Sequence, residues 1–87
     1  MTIQVVASQI EAFIRDRFSV KQNDPDFNAD VHIFDYGYVD SFGAVELTTF
    51  VESTFDVSIS NSDLMLYSMN TVNQIASFVT RRKLKEI

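Results

Sequence analysis

The most informative stretch of this 87-residue chain spans residues 35–55 and reads DYGYVDSFGAVELTTFVESTF. Gly37, one of only two glycines in the chain, permits a turn in its first half. Asp40 and Ser41 are both residue types that cap helix N-termini. The sequence therefore predicts a helix that begins at Ser41 and runs to Phe55. One apolar stripe of this helix is suited to the core and consists of Ala44, Leu47, Val51 and Phe55.

A second face of the same helix mixes apolar and acidic side chains. Phe42 and Val45 lie on it, followed by Thr49 and Glu52, with Glu46 beside them. Such a mixture is typical of a surface that docks a protein partner. The alternative is that Phe42 and Val45 only cover the neighbouring loop.

The flanking residues predict three further helices. An i, i+3/i+4 apolar rhythm predicts a first helix that ends near Phe18. A cap signal at residues 60–63 predicts a short third helix to about Tyr67. Thr71 and Gln74 fit a capping box for a fourth helix, which ends in the basic run RRKLK. The buried stripe of the first helix is predicted to contain Ile3, Val6, Ile10, Phe13 and Ile14.

Residues 19–40 lose the helical rhythm and include the only proline. A loop longer than about 12–15 residues is usually functional or pinned to the core, and we expect the aromatic residues to pin this one. Its apolar anchors are Phe27, Val31, Ile33 and Phe34. The sequence thus predicts an all-α fold. It is a small four-helix bundle of three longer helices and one short one, with a long loop between helices 1 and 2, in a single domain over residues 1–87. The expected core contains Phe13, Leu47, Val51, Phe55, Ile59, Ile75 and Val79.

Composition and charge narrow the function. The net charge is −5, and residues 22–78 contain nine acids but no lysine or arginine. This acidity disfavours nucleic-acid binding and favours basic protein partners. The absence of cysteine excludes disulfides and thiol chemistry by the chain itself. Because no segment has the features of a membrane span or a signal peptide, we expect a cytoplasmic protein, and we expect it to be a monomer.

Two sequence patterns, one for calcium binding and one for a serine nucleophile, are incomplete. Asp26, Asn28 and Asp30 match the first ligand positions of a calcium loop, but Val31 and Gly37 stand where its glycine and glutamate belong. We therefore expect no metal site.

A second pattern concerns a nucleophile. Ser41 with His32 as its base would make a minimal hydrolase, but the chain offers no evident orienting residue or oxyanion hole. We therefore expect no catalytic residue. A serine at a helix N-terminus is instead well placed to carry an anionic phosphodiester, the alternative being a plain capping serine.

The motif around Ser41 resembles the acyl carrier protein family. The resemblance rests on DYGYVDSF at residues 35–42, VEL at 45–47, the hydrophobic turn at 57–59 and the start of the last helix at Thr71. It implies a carrier without an active site. A 4′-phosphopantetheine arm, transferred from coenzyme A onto Ser41, would hold acyl or aminoacyl groups as thioesters in fatty-acid, polyketide or other specialised biosynthesis.

The resemblance also implies partners and their contacts. Asp40 matches the acid that engages the phosphopantetheinyl transferase. Loading and condensing enzymes with basic patches would dock on the second helix and the loop before it. The residues that match the family's docking positions are Asp35, Phe42, Val45, Glu46, Thr49 and Glu52.

Some positions depart from the family pattern. Gly43, Ser53 and Thr54 stand where acids are frequent, so the docking surface is less acidic than in a housekeeping fatty-acid carrier. This favours a specialised carrier, and the sequence before Ser41 fits the peptidyl-carrier type less well. The alternative from another class is an unmodified helical interaction module, which would still bind its partner after Ser41→Ala.

Overall fold

A computed structural model describes residues 2–85 of the chain, and the side chain of Lys85 lies outside the described part together with Met1, Glu86 and Ile87. Four helices follow one another along the described residues, which contain no strand. They are α1 (Ile3–Arg17), α2 (Ser41–Phe55), α3 (Asn61–Leu66) and α4 (Val72–Lys85). The prediction of an all-helical fold with one short helix is confirmed. None of these helices is long and apolar enough to cross a bilayer.

Side-chain caps begin the later helices as their sequences predict, with one difference. Ser60 Oγ accepts from the Asp63 amide at 3.1 Å, and the Asp63 carboxylate accepts from the Ser60 amide at 2.9 Å. Thr71 Oγ1 likewise accepts from the Gln74 amide at 3.0 Å. The Gln74 side chain, however, reaches the amide of Asn70 at 2.9 Å instead of that of Thr71. The side-chain bonds at the start of α4 therefore also fix Asn70, which lies in the connection between α3 and α4.

The core is centred on the contact between α1 and α4, and α2 closes it from one side. The largest fully buried side chains are Val6, Ile10, Ile14, Ile33, Val51, Val72 and Val79. The prediction that Ile3 belongs to the buried stripe was wrong, because no neighbouring element covers the first position of α1 enough to bury Ile3, which is 39% exposed. Phe13 and Ala44 are only half-buried, with Phe13 stacked on Phe50 at a ring-centroid distance of 4.1 Å.

Residues 18–40 join α1 to α2 and are held to the core at several points. Phe27 and Ile33 are buried, and the ring of Tyr38 packs against Phe27 at 5.0 Å between centroids. The Tyr38 hydroxyl donates to the Asp24 carboxylate at 3.2 Å. Burial, followed by this bond and the carboxylate's charge, raises the pKa of the Tyr38 phenol. Phe34 is only half-buried, so aliphatic side chains share the anchoring that the sequence analysis assigned mainly to aromatic ones.

Candidate functional site

Ser41 is the first residue of α2, and Asp40 fixes its position. The Asp40 carboxylate accepts from the Gly43 amide at 2.8 Å, and the Asp40 carbonyl accepts from the Ala44 amide at 2.8 Å. The side chain of Ser41 is exposed at the end of the helix where backbone amides point outward. The positive end of the helix dipole therefore faces any group attached to the Ser41 hydroxyl, and an anionic group is favoured there.

Gly43 lets the first turn of α2 lie directly on the preceding loop. A Cβ atom at this buried position would lie 2.8 Å from Phe18 Cε1 and 3.0 Å from Val39 Cγ1. Only a residue without a side chain permits that approach. By sequence, Gly43 only stands where an acid is frequent, whereas its neighbours in space give it a packing role.

The loop before Ser41 is tied by backbone hydrogen bonds to the connection between α3 and α4. The Val39 amide donates to the Ile33 carbonyl at 3.1 Å, and the Ile33 amide donates to the Asn70 carbonyl at 2.9 Å. Gly37 makes the turn between these bonds with φ of +79°, a left-handed conformation that favours glycine. Ser41 thus follows a loop whose path is fixed by the connection between α3 and α4.

His32 and Asp35 form a small unit within this loop. The Asp35 amide donates to His32 Nδ1 at 3.1 Å, and His32 Nε2 lies 3.7 Å from Asp35 Oδ2. The ring of His32 also lies edge-on to Phe34. Over residues 2–85 no hydrogen bond joins His32 to Ser41, so the geometry needed for a Ser–His hydrolase is not formed.

The residues of the incomplete calcium pattern make local turns. The Asp26 amide donates to Asp24 Oδ1 at 2.9 Å, and the Asp30 amide donates to Asn28 Oδ1 at 2.8 Å. Asp30 Oδ1 in turn accepts from Asn73 Nδ2 at 2.7 Å, which attaches the loop to the first turn of α4. Among the described residues, no group of three or more acidic or histidine side chains is arranged to hold a metal ion.

Apolar side chains dominate the exposed face of α2 next to Ser41. Phe42 is 82% exposed and Val45 is 67% exposed. Thr49 is exposed on the same face, and its hydroxyl donates to the Val45 carbonyl at 2.9 Å. The three side chains lie at helical spacing and extend from Ser41 toward α3.

The acids of this region are engaged within the chain. Glu46 forms an ion pair with Arg17, the last residue of α1. Glu52 Oε2 accepts from the Ile59 amide at 2.8 Å and so holds the connection between α2 and α3. The structure thus gives two predicted docking acids intramolecular partners, which sequence spacing did not indicate.

Asp63 is engaged twice. Its bond from the Ser60 amide and the 2.8 Å ion pair with Arg82 lower the pKa of the Asp63 carboxyl. Both interactions favour the charged form, the backbone bond most.

An open groove of about 610 Å³ separates α2 from α3. Val45 and Thr49 line one wall, and Leu64 and Met65 line the other. None of the residues of α3 is buried, and Met65 is 86% exposed. This wall was not predicted, although its signal is present in the sequence, because three successive apolar residues in a six-residue helix cannot all face one core.

These features fit a phosphopantetheine arm. The Ser41 hydroxyl is accessible, the helix end suits a phosphodiester, and an apolar groove begins one turn away at Val45. Such an arm is attached through its phosphate and extends from the serine as a flexible chain. Of the residues described, Ser41 would hold it, and the amides of the first turn of α2 would face its phosphate.

The comparisons with known proteins agree with this geometry. Residues 8–79 match the family described as "Phosphopantetheine attachment site". The chain therefore belongs to this family of phosphopantetheine-dependent carrier proteins, whose cofactor is covalently attached 4′-phosphopantetheine.

Individual relatives point the same way. The chain is 36% identical over 56 residues to the D-alanyl carrier protein of Bacillus velezensis. The matched stretch covers 64% of this chain and 72% of that protein. It is 41% identical over 51 residues to the D-alanyl carrier protein of Streptococcus thermophilus, covering 59% and 65%. It is also 33% identical over 60 residues to the Dictyostelium discoideum protein named "Probable polyketide synthase 10", covering 69% of this chain and 2% of that one.

Proposed function

We propose that this chain is an aminoacyl carrier and that its 4′-phosphopantetheine is attached to Ser41 within a single domain over residues 1–87. The observation that carries the assignment is the exposed Ser41 at the capped start of α2, inside the region that matches the family. When bound, the cofactor supplies a thiol that holds the cargo as a thioester. The carrier itself needs no active site, which agrees with the non-catalytic carriers among its relatives.

Asp40 has two tasks in this proposal. As the N-cap it keeps the first turn of α2 in place under Ser41, and as a charge beside Ser41 it is recognised by the phosphopantetheinyl transferase. The proposed docking contacts are Asp35, Phe42, Val45, Glu46, Thr49 and Glu52. We expect the partners to be the transferase and enzymes that load or consume the cargo, and we expect the carrier to act as a cytoplasmic monomer.

The cargo is proposed to be a small amino acid because several relatives are named D-alanyl carrier proteins. A second candidate is an acyl chain of the fatty-acid or polyketide type. The apolar groove between α2 and α3 and the match to a polyketide synthase favour that candidate.

Attachment is tested by intact mass after incubation with coenzyme A, Mg²⁺ and a broad-specificity phosphopantetheinyl transferase. Wild type is expected to gain one phosphopantetheinyl group, and Ser41→Ala is expected to gain none. No gain by a folded wild type would contradict the proposal and leave the unmodified interaction module. A gain by Ser41→Ala would move the attachment to another residue.

The two tasks of Asp40 are separated by two variants. Asp40→Asn keeps a capping side chain and removes the charge, whereas Asp40→Ala removes both. If the transferase recognises the charge, Asp40→Asn slows modification while its Tm stays near that of wild type. Equal modification of Asp40→Asn and wild type would leave only the capping role.

The cargo is tested on the modified protein. The holo chain is incubated with ATP and an enzyme that activates D-alanine, and in parallel with an acyl-activating ligase and a medium-chain fatty acid. An aminoacyl thioester detected by mass supports the first candidate. Loading by the fatty acid alone would favour the second, although the attachment at Ser41 would stand in either case.

A further inference from the structure

Glu46 and Arg17 link the docking face of α2 to the end of α1. The two side chains form an ion pair although their residues are far apart in the chain. Arg17 is 55% exposed and Glu46 is 39% exposed, so both are within reach of a docked protein. In the free carrier, the negative charge of Glu46 is balanced by a cation of its own chain.

The Asp40 carboxylate caps α2 directly before Ser41, and the acids further along this face are engaged within the chain. Phe42 and Val45 project from the same face, and Glu52 is bonded to the Ile59 amide. Ser41 and Glu46 both lie within the first two turns of α2, so a partner that covers this end of the helix reaches both residues. A protein interface of usual size covers more than two turns of one helix.

Resting on the proposed carrier function, we propose that Arg17 is a specificity-determining residue of the docking face. It competes with cations of partner proteins for Glu46 and so weakens the electrostatic part of docking. Partners that match Phe42 and Val45 with an apolar surface are then favoured over partners that depend on a basic patch.

The physical basis is the small gain from exchanging one exposed ion pair for another. A partner lysine or arginine has to displace Arg17, and each of these exposed pairs contributes little on its own. The charge of a rim residue acts mainly on the association rate and its salt dependence. With Arg17 in place, Glu46 should raise the association rate only slightly, and the salt dependence of that rate should be weak. Without Arg17, Glu46 becomes a free anion beside Ser41.

The test uses the broad-specificity phosphopantetheinyl transferase as the probe, since it must approach Ser41. KM and kcat for modification are measured at low and high NaCl for wild type, Arg17→Gln, Glu46→Gln and the double variant. Arg81→Gln serves as the matched control because it removes one exposed cation from α4. Arg17→Lys, which keeps the charge, is expected to behave as wild type.

We expect Arg17→Gln to lower KM about threefold at low salt with kcat unchanged, since one exposed pair is worth a factor of this order. The double variant is expected to return to the wild-type KM, and high salt should remove the difference. Arg81→Gln should change KM less than Arg17→Gln does.

Several outcomes would overturn the inference. They are an unchanged or higher KM in Arg17→Gln, an equal fall in Arg81→Gln, or a fall that persists when Glu46 is also replaced. Circular dichroism of each variant checks that the fold is kept. Absence of any modification in wild type would instead contradict the proposed function, so the two failures are distinguishable.

Discussion

The α1–α4 pair and the α2–α3 face differ in what they bury. α1 and α4 hold much of the closed core, with Val6, Ile10 and Val79 fully buried. α3 buries none of its residues, and the groove between it and α2 is open. This small chain therefore packs α1 closely against α4, whereas α3 and the outer face of α2 border an open groove.

This division suits a carrier. Segments with few buried apolar contacts open at low free-energy cost, and surfaces that change partners are often built from them. The closely packed α1–α4 pair supplies a rigid scaffold that supports the α2–α3 face.

Hydrogen exchange should separate the two regions most clearly. We expect amides in the middle of α1 and α4 to exchange roughly a thousandfold more slowly than those of α3, because α3 opens without disturbing the core. The measurement is native-state exchange followed by NMR. Equal protection of α3 and α4 would show that the molecule opens only as one unit.

Truncating a buried side chain of the α1–α4 pair should lower the free energy of unfolding far more than truncating an exposed side chain of α3. Ile10→Ala is expected to lower the free energy of unfolding by about 3 kcal/mol, because Ile10 is fully buried and leaves a cavity. Met65→Ala on α3 is the control and should change stability by less than about 0.5 kcal/mol. Urea unfolding of both variants measures the difference, and similar losses would contradict the division.

Gly43→Ala tests the close contact beneath Ser41. An alanine is better in a helix by up to about 1 kcal/mol, but its Cβ would overlap Phe18 and the buried Val39, at an overpacking cost of about 1–3 kcal/mol. We therefore expect a net loss of about 1 kcal/mol in urea unfolding. Ser53→Ala, at an exposed position of the same helix, should not lose stability by more than about 0.5 kcal/mol. If Gly43→Ala were more stable than wild type, the side chains of Phe18 and Val39 would have to move aside to make room for the Cβ atom.

Asp63→Asn tests the capping box of α3 and the ion pair to α4, with the smallest expected effect. The pKa of Asp63 is lowered in the folded protein, so its charge stabilises the fold above the carboxyl's ordinary pKa near 3.8. That stabilisation is lost as pH falls through the lowered pKa. The Tm of the variant should be slightly below wild type at pH 7, and the two values should converge in strong acid. A pH-independent difference would contradict the ionic contribution.

The local features of the fold follow from the sequence to a large extent. The start of α2 after Asp40, the cap at Ser60 and the short length of α3 are fixed by side chains that bond within a few residues. The exposure of Phe42 and Val45 also follows from helical spacing. The motif around Ser41 is sufficient to indicate the family.

Errors arose where burial depends on neighbours in space. Ile3 fits the apolar stripe of α1, yet no partner helix covers it. Spacing also does not indicate that the Glu52 carboxylate accepts a bond from the Ile59 amide, and the docking role of Glu52 stays a prediction. Helical periodicity assigns a residue to a face but does not say which element covers that face or which groups meet there.

The sequence by itself determined the helical segments, the acidic charge and the family motif at Ser41, because each depends on residue type and short-range spacing. Only the tertiary structure decided that Gly43 lies against Phe18 and Val39, and that Glu46 is paired with Arg17. Apart from the contact between Gly43 and Val39, these contacts join residues that are distant in the chain. Their existence depends on how α1, the loop and α2 pack together, which local spacing does not specify.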